Sequence, residues 1–319
     1  MNVREHLLAL QDELRRLKGE GSRTVVVREA SLEQLRTAVA QARREAGGSD
    51  SETAAAVIPD LAAAPVGPAR APAPSPPAKL IAMTPAPSLG AAPVVSLPAG
   101  PKSARWEALR EQVLRDPVCS AHVYPGKKIV FGVGSLDAVI MFIGEAPGAD
   151  EEDQGEPFVG RAGQLLNRMI KAMGIEREQV YIGNILNWRP EMGTRSADGF
   201  QTGNRPPTQD EMNYCLPFIR AQIEIVQPRV LVALGKTAVD GLLGADRFKT
   251  MGAARGAWHD YRGLPLRATY HPSYLLRQEG LKTDAAMKIK RDAWEDLLAV
   301  MERAELPISE KQRGFFKRA

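Results

Sequence analysis

The sequence predicts an α/β fold: a single three-layer domain around a central, mainly parallel, four-stranded sheet. Two observations carry this. Apolar runs of strand length at 139–143, 180–185, 229–234 and 266–270 alternate with helical patterns. These runs are apolar almost throughout, which suits strands covered by helices on both faces.

The helices have readable ends. One is expected from about 162 to 173, stopped by Gly174 at a position where glycine closes helices. Another starts at Thr208, with Glu211 as its capping-box partner, and runs to about 226 before Pro228. A short one covers about 237–243. The last, about 283–305, repeats apolar residues at helical spacing through Met287, Trp294, Leu297, Leu298 and Met301.

Four segments follow. Residues 1–48 read as a helical piece, with Leu7, Leu8, Leu10, Leu14 and Leu17 near helical spacing and a second helix opening at Ser31 with Gln34 three residues on. So short a piece makes a poor core alone; it reads as a weakly stable helical pair without chemistry of its own, with docking to another protein as the alternative. Residues 49–102 read as a disordered linker. Twelve of the 24 prolines lie between Pro59 and Pro101, amid alanine and without an aromatic residue, so little apolar burial offsets the ordering entropy. Residues 103–304 form the α/β domain, and 305–319 a basic tail.

Composition narrows the function. The chain of 319 residues carries 42 Lys+Arg against 38 Asp+Glu, a net charge of +4 that permits an anionic partner. No apolar stretch is long enough to span a membrane, and the charged N-terminus is no signal peptide, so a cytoplasmic protein is expected. Two cysteines exclude a disulfide framework and a four-thiolate metal site, and the four histidines form no close-spaced metal pair.

Ligands of open parallel sheets gather at the carboxyl ends of strands, and four clusters fall there. The first is Gly144-Glu145-Ala146-Pro147-Gly148, continuing through an acidic stretch to Pro157-Phe158-Val159-Gly160. Its glycines allow close backbone approach, and Phe158 can stack a flat heterocycle. The second is Asn184, which needs hydrogen bonds at the end of an apolar strand. The third is His271-Pro272-Ser273-Tyr274-Leu275-Leu276-Arg277. Here Pro272 holds His271 out of helical angles, and an apolar wedge sits beside a cation suited to phosphate. The fourth is Asn187-Trp188-Arg189-Pro190, followed by a polar loop over 193–204. By contrast, Gly235-Lys236-Thr237 lacks the earlier glycine of a phosphate-binding loop, since Val230 stands there.

In this order the clusters resemble the family 4 uracil-DNA glycosylases over about 103–303, with Gly155 to Leu166, Tyr181-Ile182-Gly183-Asn184-Ile185, Arg189-Pro190 and Asn204-Arg205-Pro206 also matching. The resemblance implies a DNA repair enzyme that flips uracil out of DNA and hydrolyses its N-glycosidic bond. It implies Glu145 and His271 as catalytic residues. Gly144, Ala146, Gly148, Phe158 and Asn184 would bind uracil, and Ser273, Tyr274, Leu275, Leu276 and Arg277 would bind DNA. Two other functions compete: a glycosylase of the same superfamily for another deaminated base, and an inactive DNA-binding module.

The family holds a 4Fe–4S cluster on four cysteines. Here those positions fall on Cys119, His122, Trp188 and Cys215. Tryptophan offers iron no suitable lone pair, so the cluster is expected to be absent or incomplete, with Trp188 filling the volume. No cofactor is expected. The expected partner is uracil-containing DNA, and the expected state a monomer. Residues 312–316, Gln312-Arg313-Gly314-Phe315-Phe316, resemble the peptide by which bacterial repair proteins grip the sliding clamp; packing of both rings on the parent domain is the competing expectation.

Overall fold

A computed structural model describes residues 89–316 except 193–200, 202, 280 and 282. The helices expected over 1–48, most of the 49–102 linker and most of the 193–204 loop lie outside the described residues.

The sheet has six strands in the order β1-β3-β2-β4-β6-β5. They are β1 (Val133–Gly134), β2 (Ile140–Gly144), β3 (Tyr181–Asn184), β4 (Val230–Leu234), β5 (Trp258–Tyr261) and β6 (Leu264–Thr269). The four expected strands are the central parallel ones, and β1 and β5 add antiparallel edges. The sheet is thus broader than the four strands expected. The edge strands escape notice because β1 has only two residues and β5 reads Trp-His-Asp-Tyr, without an apolar run. Strands β5 and β6 join through Arg262 and Gly263, both at positive φ, the two-residue turn that matches strand twist.

Helices cover both faces. They are α1 (Lys102–Arg115), α2 (Pro117–Ala121), α3 (Ala149–Gln154), α4 (Arg161–Ala172), α5 (Gln209–Val226), α6 (Lys236–Leu243), α7 (Met251–Ala254), α8 (Pro272–Arg277), α9 (Asp284–Arg303) and α10 (Glu310–Arg313). The period of two in a strand sorts the core. Ile140 and Phe142 face Leu166, Ile170, Leu297 and Met301 of α4 and α9. Met141 and Ile143 face Met212, Leu216, Ile219 and Val239 of α5 and α6. The capping box expected at the head of α5 forms: Thr208 Oγ1 accepts from Glu211 N–H at 3.2 Å, and Glu211 returns the bond to Thr208 N–H at 2.7 Å.

Both ends of the domain extend past their expected limits. Residues 89–101 run extended, with Leu89, Val95 and Leu97 packed on a buried cluster. These apolar side chains find a partner that the linker's composition conceals. The tail folds back too. Phe315 packs 5.2 Å from Trp294, whose Nε1 donates to Gln312 O at 2.7 Å, while Gln312 Nε2 donates to Ala172 O at 2.9 Å. Phe316 stays half exposed.

Candidate active site

Parallel order brings the carboxyl ends of β3, β2, β4 and β6 to one edge. Gly144 and Asn184 are direct register partners there. Pairing runs on beyond the strands, with Leu186 N–H donating to Glu145 O at 3.1 Å and Gly235 N–H to Thr269 O at 2.8 Å. A cleft of about 920 Å³ opens at this edge. Its walls include Glu145, Ala146, Gly148, Phe158, Asn184, His271, Ser273, Tyr274 and Arg277, so most of the residues singled out from sequence meet in one place. Thr237 and Tyr270 line it too, although neither stands out as a site residue from its motif or spacing.

Gly144 lets the amide and the ring meet. A Cβ there would lie 2.5 Å from both Asn184 Oδ1 and Phe158 Cζ. Asn184 is 7% exposed, and its Oδ1 is buried with no hydrogen-bond partner among the described residues. Such an orphaned acceptor costs stability unless a ligand satisfies it. Phe158 adopts a left-handed φ of 54°. Its ring centroid lies 5.6 Å from that of His271, at an interplanar angle of 32°. The cleft therefore offers a flat face, an amide edge and an imidazole within a span matching one heterocycle.

His271 is the N-cap of α8, and Pro272 opens that helix. Its Nδ1 accepts from Ser273 N–H at 3.1 Å and lies 2.8 Å from Ser273 Oγ. A neutral ring then carries its proton on Nε2, free to donate. Burial, seconded by the Arg277 charge, lowers the His271 pKa to about 4, so the ring is neutral at physiological pH. The opposite shift holds for Glu145: burial raises its pKa, and a hydrogen bond with Thr237 opposes the rise.

The wedge expected after His271 is split. Tyr274 stands 5.3 Å from the Tyr270 ring with the Arg277 guanidinium 5.6 Å over its own ring, at the mouth of the cleft. Leu276 is partly exposed, but Leu275 is buried at 6% exposure. Leu275 lines a small apolar hollow with Leu165, Met169 and Trp294, so in this structure its side chain anchors α8 to the core. The helical turn separates the two leucines by about 100° and sends one inward.

Of the four positions of the family's cluster, Cys119, Trp188 and Cys215 share one buried apolar cluster and His122 stacks on Trp188, and their donor set does not fit an iron–sulfur cluster. The Trp188 indole is wholly buried and stacks on His122 at 4.7 Å and 25°. His122 Nδ1 lies 2.8 Å from Val118 O. A hydrogen bond with Cys215, reinforced by burial, pushes the Cys119 thiol above its ordinary value. Two thiols, one imidazole and an indole cannot reproduce four thiolates. Among the described residues no group of three or more His, Cys, Asp or Glu side chains is arranged to hold a metal. Arg189 is buried, pairing with Glu152 at 2.8 Å and donating to Asn204 Oδ1 at 2.8 Å, which ties the Asn204-Arg205-Pro206 segment to the cleft wall.

Residues 131–298 match the family described as the Uracil DNA glycosylase superfamily, and the chain belongs to that superfamily. Within it, the similarity is to type-4 enzymes. Over 172 residues the chain is 40% identical to the Type-4 uracil-DNA glycosylase of Thermotoga maritima, covering 54% of this chain and 83% of that protein. It is 35% identical over 182 residues to the Type-4 uracil-DNA glycosylase of Pyrobaculum aerophilum, covering 55% of this chain and 87% of that protein. A Type-5 uracil-DNA glycosylase of the latter organism is 29% identical over 159 residues, covering 44% of this chain and 64% of that protein.

Proposed function

We propose that the chain is a DNA repair glycosylase that excises uracil. Water adds to the anomeric carbon of a flipped-out deoxyuridine, the bond from that carbon to N1 breaks, and uracil leaves as an anion that takes up a proton. Free uracil and an abasic site remain. The observation that carries this reading is the meeting of Phe158, Asn184 and His271 around one cleft on a superfamily fold.

Each side chain has a role that its surroundings support. Phe158 stacks the base. The unpartnered Asn184 Oδ1 accepts from uracil N3–H while its amide donates to O4; cytosine presents the opposite pattern at both atoms and is rejected. The neutral His271 donates from Nε2 to O2 as charge develops there, a contribution typically worth about 2.7–4 kcal/mol. Glu145 orients the water or stabilises the sugar cation. The backbone of 144–148 lies along the base, with Gly144, Ala146 and Gly148 leaving room for it. Ser273, Tyr274, Leu276 and Arg277 contact DNA at the mouth.

The donor set supports an enzyme that works without an iron–sulfur cluster, with the Trp188–His122 stack holding the loops in its place. One chain supplies the cleft, as a monomer requires, and a DNA substrate suits a cytoplasmic location. The clamp-binding reading of 312–316 finds no support in the packing, because Gln312 and Phe315 are engaged by the domain itself.

A panel of oligonucleotides carrying uracil, hypoxanthine or thymine tests the proposal. Release of uracil well above the other bases supports it. Preference for hypoxanthine favours the alternative glycosylase, and binding without release favours the inactive module.

A further inference from the structure

The Phe158 turn poses a physical problem. An aromatic residue at φ 54° occupies a sparsely populated region that persists only where the surroundings over-determine it. Two side chains do so from opposite sides. Glu151 takes the amides: its Oε1 accepts from Val159 N–H at 3.0 Å and Gly160 N–H at 2.9 Å, and its Oε2 from Gly148 N–H at 3.1 Å. Arg177 takes the carbonyls: Nη2 donates to Pro157 O at 2.7 Å and Nη1 to Phe158 O at 3.2 Å. Arg177 Nη1 also reaches Asn167 Oδ1 of α4 at 2.9 Å. The Phe158 carbonyl is pressed between this guanidinium and Gly163, where a Cβ would lie only 1.8 Å from the oxygen.

Arg177 sits in the 3₁₀ turn Arg177–Gln179 that leads into β3, the strand ending in Asn184. One residue thus links the ring-bearing turn to the strand that carries the amide. Its hydrogen bonds go to neutral oxygens, two of them backbone atoms of the turn, and it does not line the cleft.

We propose that Arg177 is a positioning residue that acts on the extrahelical base through Phe158, fixing the turn so that the ring stands face-on to the ligand. The inference rests on the reading of Phe158 as the stacking ring. It predicts an effect on substrate engagement that disappears once the ring is gone.

The test is a double-mutant cycle on uracil release by the full chain, with Arg177→Ala, Arg177→Lys, Phe158→Ala and the combinations, and thermal midpoints recorded alongside. Arg177→Ala is expected to raise KM more than it lowers kcat, with kcat/KM down by about tenfold to a hundredfold. Dilute guanidinium should restore part of the loss. Arg177→Lys, keeping the charge but not the fork, should fall between and serves if Arg177→Ala does not fold. In the Phe158→Ala background the Arg177 substitutions should change nothing further. An unchanged kcat/KM in both Arg177 variants, or the same loss with and without the Phe158 ring, overturns the inference alone. A folded wild-type protein that releases no uracil overturns the reading beneath it as well.

Discussion

Ser273 presents both its backbone N–H, at 3.1 Å, and its hydroxyl, at 2.8 Å, to a single atom, Nδ1 of His271. That pair of bonds fixes which imidazole nitrogen carries the proton, and so makes Nε2 the donor. Ser273→Ala deletes the hydroxyl but keeps the N–H. Loss of about 1 kcal/mol is expected, roughly a fivefold drop in kcat, with little change in thermal midpoint. Single-turnover rates with melting curves check this.

The acid side of the pH profile should belong to Glu145. Burial raises its pKa, whereas burial lowers that of His271 to about 4, so as pH falls Glu145 is protonated first. Glu145→Gln should lower the plateau and remove this limb. Thr237→Val should move the limb to higher pH, because the Thr237 hydrogen bond is what lowers the Glu145 pKa. Profiles of kcat/KM for the three proteins decide it.

Stability should fall over a related window. Unfolded imidazole protonates near pH 6.5, but folded His271 only near 4, so between these values the unfolded state binds more protons. Stability contributed by a neutral His271 is therefore present above about pH 6.5 and lost as pH drops toward 4. His271→Ala should flatten that slope in urea midpoints measured across the window.

Asn184→Ala should separate function from stability. Removing the amide costs binding of uracil, with kcat/KM down by about tenfold to a hundredfold, roughly 1–3 kcal/mol. It also removes a buried acceptor that has no partner among the described residues, so the thermal midpoint should hold or rise. A large drop in stability would contradict this.

Trp188→Ala should act in the opposite way to an iron ligand. The indole is wholly buried, stacked on His122 and edge-on to Tyr214 at 6.3 Å, so its loss should cost about 3–5 kcal/mol. Chelators should leave the wild-type midpoint unmoved. In His122→Cys/Trp188→Cys, which restores four thiols, cluster reconstitution should become possible and visible by absorbance.

What the sequence reveals follows from how each feature is encoded. The four central strands and the Thr208–Glu211 box rest on local patterns, and local patterns are legible. Phe158, Asn184 and His271 stand out because each is chemically out of place at the end of an apolar strand or in a glycine-rich loop. Arg177 and Glu151 do not, since both act on backbone atoms of a distant turn and spacing carries no trace of that. The sequence also misses the inward turn of Leu275, which depends on the hollow beside Trp294. The expected packing of the tail rings on the domain is met by Phe315 against the same tryptophan, whereas Phe316 stays half exposed.

The most direct test is the rate of uracil release from DNA by protein shown to contain no iron, beside its Asn184→Ala and His271→Ala variants. Free uracil and abasic sites should form at a rate that each substitution depresses. A folded, iron-free wild type that forms neither product, or one whose rate is indifferent to both substitutions, would contradict the account.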